Sequence, residues 1–146
     1  MHYEIYTDGA YNVELNKGGC SYLILCGNTY VHSDSVPLDS VDSATQAETV
    51  SIGLAAAYLI DNKDISKEDT VCFRVDCTSA ITFSKLHLSK RNLRRTYCKP
   101  VIGSMEVLRM LADLCSVDFQ KVRAHKNKIT PNTFVDRLAK VAIRRS

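Results

Sequence analysis

The opening residues alternate between two faces. Tyr3, Ile5 and Thr7 point one way and Glu4, Tyr6 and Asp8 the other, the period-two pattern of a strand with Asp8 at its end. Asp8-Gly9 leads into a polar, turn-prone stretch through Asn16 and Lys17. Gly18-Gly19 opens a second strand over Cys20 to Cys26, and Gly27-Asn28 is a tight turn into a third over Thr29 to Val36. The three read as an antiparallel meander. Beyond the turn-rich Pro37 to Asp42, Ser43 and Gln46 have capping-box spacing, and the helix formers that follow predict a helix to Ile60. Asp61-Asn62-Lys63-Asp64 ends it. Thr70 to Val75 reads as a short buried strand ending at Asp76, Thr78 to Leu86 as a short helix, and Pro100 as the start of a helix through Leu114. Val117 to Arg123 is the fifth strand, and Thr130-Pro131, an N-cap followed by Pro, starts a last helix toward Arg144.

This order predicts an α/β fold in which helices pack on a mixed sheet and the later strands are joined by crossovers. Ligands of such sheets sit outside the carboxyl ends of the strands, where Asp8 and Asp76 fall. The 146 residues contain no internal repeat and no low-complexity linker, so one domain over residues 1–146 is expected. The longest apolar stretch, Ile52 to Ile60, is interrupted by Gly53 and falls well short of the roughly 20 residues of a membrane span. The start, MHYEIYTDGA, has neither the basic opening nor the apolar run of a secretory signal. The six cysteines form no C-x-x-C pair and lie mostly in apolar runs, which argues against a zinc site or disulfide framework and for a reducing, cytoplasmic setting.

Charge changes the picture more than composition does. The net charge is only +3, yet residues 1–70 carry 11 acids against 3 Lys/Arg, while residues 71–146 carry 5 acids against 16 Lys/Arg. Between Asp76 and Glu106 there is no acid, and Lys85, Lys90, Arg91, Arg94, Arg95 and Lys99 fall in that gap. The split points to a polyanionic partner gripped by the second half. Lys121, Arg123, Lys126 and Lys128 add cations near the carboxyl end of the fifth strand.

Among the acids, Asp8 before Gly9 reads by itself as a turn former, and Asp76 alone says no more. Glu48 is more informative, because Ile52, Ala55 and Leu59 follow it at i+4, i+7 and i+11 and place its carboxylate on the apolar row of the first helix. A charge facing a core costs several kcal/mol, on the order of a whole hydrogen-bond network, unless a cation compensates. Asp136 adjoins the apolar face of the last helix, formed by Val135, Leu138, Ala139 and Ala142. Four carboxylates from four elements can thus converge on one sheet edge with no obvious basic neighbour. Such an all-oxygen set suits Mg²⁺, with Mn²⁺ as a substitute, rather than zinc.

The same residues, in the same order over nearly the whole chain, resemble type 1 ribonuclease H. The motifs are Thr7-Asp8-Gly9 ending the first strand, Gly18-Gly19, the helix opening Ser43-Ala44-Thr45-Gln46-Ala47-Glu48, Val75-Asp76 ending the fourth strand, and N-x-x-x-D-x-L-A over Asn132 to Ala139. His125 follows Val122-Arg123-Ala124 where the family has a loop histidine, and Cys98-Lys99-Pro100-Val101 resembles the end of its basic protrusion. Cys77 stands where the family commonly has Ser, Ala124 where Gly usually precedes the histidine, and Thr45 where an Asn is common.

The resemblance implies a ribonuclease H-like fold: a five-stranded mixed sheet, three antiparallel strands then two parallel crossovers, with helices on both faces. It implies a monomeric, membrane-free enzyme that hydrolyses the RNA strand of an RNA/DNA hybrid. Asp8, Glu48, Asp76 and Asp136 would hold two Mg²⁺ ions, one activating water and one stabilising the leaving 3′ oxygen. His125 would be the mobile acid/base. Lys90, Arg91, Arg94, Arg95 and Lys99, with Lys85, would clamp the phosphate backbone, and Asn12, Thr45 and Gln46 would touch substrate. Two other readings share the acid cluster or the charge: a resolvase- or integrase-type module, and a non-catalytic nucleic-acid-binding domain.

Overall fold

The computed structural model describes residues 1–89, 99–123 and 130–145. Strands β1 (His2–Asn12), β2 (Lys17–Cys26), β3 (Thr29–Leu38), β4 (Thr70–Val75) and β5 (Ser116–Lys121) form one sheet in the order β3-β2-β1-β4-β5. The β1–β2 and β2–β3 pairs are antiparallel, and β1–β4 and β4–β5 are parallel. Helix α1 (Ala44–Asn62) makes the crossover to β4, α2 (Thr78–Ser89) and α3 (Lys99–Leu114) precede β5, and α4 (Pro131–Arg145) follows it. The expected element order, including three antiparallel strands and then two parallel crossovers, is the observed one.

Paired residues share a face, so the register sorts the sheet into two sides. Tyr3, Ile5, Tyr22 and Ile24 face a core with Ile52, Ala55 and Leu59 of α1 and Met105, Leu108 and Leu111 of α3. The opposite side carries α4: Ser21 Oγ donates to the Val135 carbonyl, and Ser35 Oγ donates to the Leu138 carbonyl at 2.7 Å. Gly19 lies under α4 because a Cβ there would sit 2.9 Å from the Ala142 Cβ and closer still to the Ala139 carbonyl. Each fully buried Ile, Leu or Phe in this core contributes roughly 1.5–3 kcal/mol relative to exposure, which suffices to hold α1 nearly immersed between the sheet and α3.

The capping box forms with a variation. Ser43 Oγ accepts the Gln46 N–H at 3.1 Å, while Gln46 Oε1 accepts the N–H of Asp42, one residue before the cap, at 3.0 Å.

One boundary departs from expectation in a way that matters for the site. Asp8 does not end β1, which continues to Asn12 paired with Lys17. The polar side chains of this stretch read as a turn, but the ladder with β2 uses backbone groups alone and extends the hairpin to Val13–Asn16. Pairing with β4, in contrast, stops at Tyr6↔Arg74. Asp8 is therefore mid-strand on the β2 side and just past the end of the ladder on the β4 side, where the chain beyond Val75 turns away.

Candidate active site

Three carboxylates meet at this opening. Asp8 from β1, Glu48 from α1 and Asp76 from the residue after β4 each offer an oxygen, all within 4.8 Å of one another. Glu48 sits on the row with Ile52, Ala55 and Leu59, as its spacing implies, and is 1% exposed. What lets α1 deliver it is Gly9: a Cβ there would lie 2.6 Å from the Ala47 carbonyl carbon and 2.8 Å from the Glu48 Cα. The helix can press against β1 only where that strand has no side chain.

The site is organised by donors from the same elements. The Thr7 hydroxyl, on a fully buried residue, donates to Glu48 Oε1 at 2.5 Å, and the Gly9 N–H donates to Asp8 Oδ1 at 2.9 Å. Burial pushes the Asp8 carboxyl far above the usual range, and the charges of Glu48 and Asp76 push it further. Burial also raises Glu48, with the Thr7 hydrogen bond opposing it. Asp76 is raised by burial first and by Asp136 next, while Lys121 pulls it down. These groups resist carrying three negative charges together.

Asp136 borders the cluster. It lies near enough to raise the carboxyls of both Asp8 and Asp76, yet its side chain is 45% exposed and its Oδ2 accepts from Lys140 Nζ at 3.0 Å. The expectation that no base is placed near the four acids therefore needs correcting at Asp136, whose partner one helical turn on was legible as an i, i+4 pair. Among the described residues, no lysine or arginine forms an ion pair with Asp8, Glu48 or Asp76.

The other sequence-derived candidates divide. Asn12 closes the β1–β2 hairpin, its Oδ1 accepting the Leu15 N–H at 3.0 Å. Gln46 serves the cap of α1, and Thr45 Oγ1 lies 3.8 Å from Cys77 Sγ, beside Asp76. Lys99 is exposed at the start of α3. Lys90, Arg91, Arg94, Arg95 and His125 lie outside the described residues. Sequence reasoning missed Thr7, whose place in a T-D-G run on the inward-facing set of β1 was the available signal.

Oxygen donors only, three of them within reach of one another, short of countercharge and partly closed to water, are a donor set that fits a hard divalent cation. No helix among the described residues is long and apolar enough to cross a membrane.

Comparison with known proteins places this arrangement. The chain is similar in fold to RNase H1 of the halophilic archaeon Halobacterium salinarum, at 15% identity and TM-score 0.70, with all of both chains covered. It is likewise similar to the N-terminal RNase H domain of a Mycobacterium tuberculosis protein, solved as a fusion with maltose binding protein, at 13% identity and TM-score 0.73 over 99% of this chain and 94% of that one. A third similar structure is LC11-RNase H1 in complex with an RNA/DNA hybrid, at 17% identity and TM-score 0.71 over 98% and 97% of the two chains. A search of curated proteins found no match. The sequence matches the RNase H family over residues 1–144, and the chain belongs to that family.

Proposed function

We propose that this protein is a ribonuclease H that cuts the RNA strand of RNA/DNA hybrids endonucleolytically, with residues 1–146 as one catalytic domain acting in the cytoplasm as a monomer. The carrying observation is the carboxylate cluster of Asp8, Glu48 and Asp76 with Asp136 at its border. Membership of the family and the similarity to an RNase H1 that was solved with a hybrid support the choice of substrate.

Asp8, Glu48, Asp76 and Asp136 would hold two Mg²⁺ ions. Bound there, such ions would supply an activated water and a stabilised leaving 3′ oxygen, and the upward shift of the Asp8, Glu48 and Asp76 carboxyls supports the reading that they would take up cations. Thr7 fixes the Glu48 carboxylate, the Gly9 N–H fixes Asp8, and the close approach of α1 at Gly9 keeps water from the inner side. Lys140 neutralises one oxygen of Asp136. In this reading His125 exchanges protons with solvent or product, and Lys90, Arg91, Arg94, Arg95 and Lys99 grip phosphates, with Asn12, Thr45 and Gln46 near the RNA strand.

The test is cleavage of a hybrid with either strand labelled, beside duplex DNA and duplex RNA, in Mg²⁺ and in chelator. Cleavage of the RNA strand alone, dependent on Mg²⁺ and lost in Asp76→Asn, supports the proposal. Cleavage of DNA junctions would favour the resolvase-type reading, and binding without cleavage of any substrate the non-catalytic one.

A further inference from the structure

The four acids are not held alike. Asp8, Glu48 and Asp76 bring oxygens within 4.8 Å of one another, and Asp136 stands outside that group. It is not remote, since its charge raises both Asp8 and Asp76. Its Oδ2 instead accepts from Lys140 Nζ at 3.0 Å. Among the described residues this is the one ion pair that any of the four acids makes. An acid four residues before a base is the favourable order on a helix, so the pair follows from the sequence of α4 itself.

The helix is not free to bring Asp136 closer as a body. The Val135 carbonyl accepts from Ser21 Oγ and the Leu138 carbonyl from Ser35 Oγ, so β2 and β3 hold the backbone on both sides of Asp136. Val135, Ala139 and Ala142 are fully buried. What can move is the Asp136 side chain, whose rotation between staggered positions carries the carboxylate from one neighbour to another. Its present partner is easily left. Lys140 is 62% exposed, and an ion pair so open to water contributes little. A divalent cation beside Asp8 would attract the Asp136 carboxylate about twice as strongly as an ammonium at equal distance.

We propose that Lys140 is a positioning residue that holds Asp136 apart from the other three acids until a second divalent cation displaces it, so that the two cations load in order. The first takes Asp8, Glu48 and Asp76 as they stand. The second needs Asp136 to leave Lys140, and the ion pair sets how tightly it is held. The inference rests on the two-cation reading proposed above, and its test needs no cleavage.

The experiment titrates the whole protein with Mn²⁺ alone and counts the free ion by its electron paramagnetic resonance signal. Wild type should take one ion tightly and one more weakly. Lys140→Gln, on an exposed side chain that tolerates exchange, should tighten the weaker ion about two- to fivefold, the strength of an exposed ion pair, and leave the tighter one nearly unchanged. Lys140→Arg should bind as wild type does. In Asp136→Asn the weaker ion should be weakened or lost, and adding Lys140→Gln should change nothing further. Arg144→Gln removes an equal charge one helical turn beyond Lys140 and should tighten the weaker ion far less. Unchanged binding of the weaker ion in Lys140→Gln, equal tightening in Arg144→Gln, or an undiminished Lys140→Gln effect in the Asp136→Asn background overturns the proposal. So does a single bound ion in every variant. A protein that meets these expectations yet cleaves no hybrid overturns the proposed function and leaves this inference standing, whereas a wild type that binds no Mn²⁺ sinks both.

Discussion

The Thr7 hydroxyl donates to Glu48 Oε1 and so ties the middle of β1 to the beginning of α1 at a point closed to water. This bond orients the Glu48 carboxylate and is the largest of the influences that oppose the rise burial imposes on it. Thr7→Val keeps the shape and deletes the donor. Mg²⁺ titration of hybrid cleavage should show affinity falling about 10- to 100-fold, as for other residues that orient a ligand without touching the ion, and Thr7→Ser should restore most of it. Unchanged Mg²⁺ dependence in Thr7→Val would mean that Glu48 is positioned by α1 alone.

The carboxyl cluster should leave a mark on stability in the absence of divalent cations. Asp8, Glu48 and Asp76 all titrate higher in the folded protein than in the unfolded chain. From about pH 4 upward the folded state then holds more protons, so the cluster's contribution to stability is lost progressively as pH rises through the raised values. Urea unfolding in chelator should therefore find Asp8→Asn gaining stability over wild type by about 1–3 kcal/mol near pH 8 and by much less near pH 5. Mg²⁺ should stabilise wild type more at the higher pH. A wild-type advantage over Asp8→Asn near pH 8 in chelator would contradict the crowded-charge account.

In the proposed mechanism His125 is a proton carrier rather than a metal ligand. Its replacement by Ala should slow steady-state turnover by roughly 10- to 100-fold without abolishing it, since proton transfer is auxiliary where cations carry the main charge. Turnover equal to wild type would remove His125 from the mechanism.

The basic segment is expected to govern affinity. Replacing Arg91, Arg94 and Arg95 together by Ala should weaken hybrid binding and lower the slope of log affinity against log salt by about one unit or somewhat less per contact. Turnover at saturating hybrid should change far less, because the carboxylates lie on other elements. If affinity and slope both stay at wild-type values, the hybrid is gripped elsewhere, with Lys121 and Arg123 at the end of β5 the next cations to replace.

The sequence by itself determined the elements and the identity of the acids. Alternation over Tyr3 to Asp8, the Ser43–Gln46 cap, the Thr70–Val75 strand and Thr130-Pro131 are decided within a few residues by propensity and local hydrogen bonding, and the structure has each of them. The row of Glu48, Ile52, Ala55 and Leu59 likewise follows from helical period alone. Tertiary structure decided what those acids meet. Thr7 and Glu48 are 41 residues apart, and Asp8 and Asp136 still farther, so their meeting depends on the register of β1 against β2 and on how closely α1 and α4 pack on the two faces. Those are sums over many contacts between distant segments. The extent of β1 was hidden for a related reason: the ladder from Gly9 to Asn12 is made by backbone groups, to which the side-chain pattern is blind.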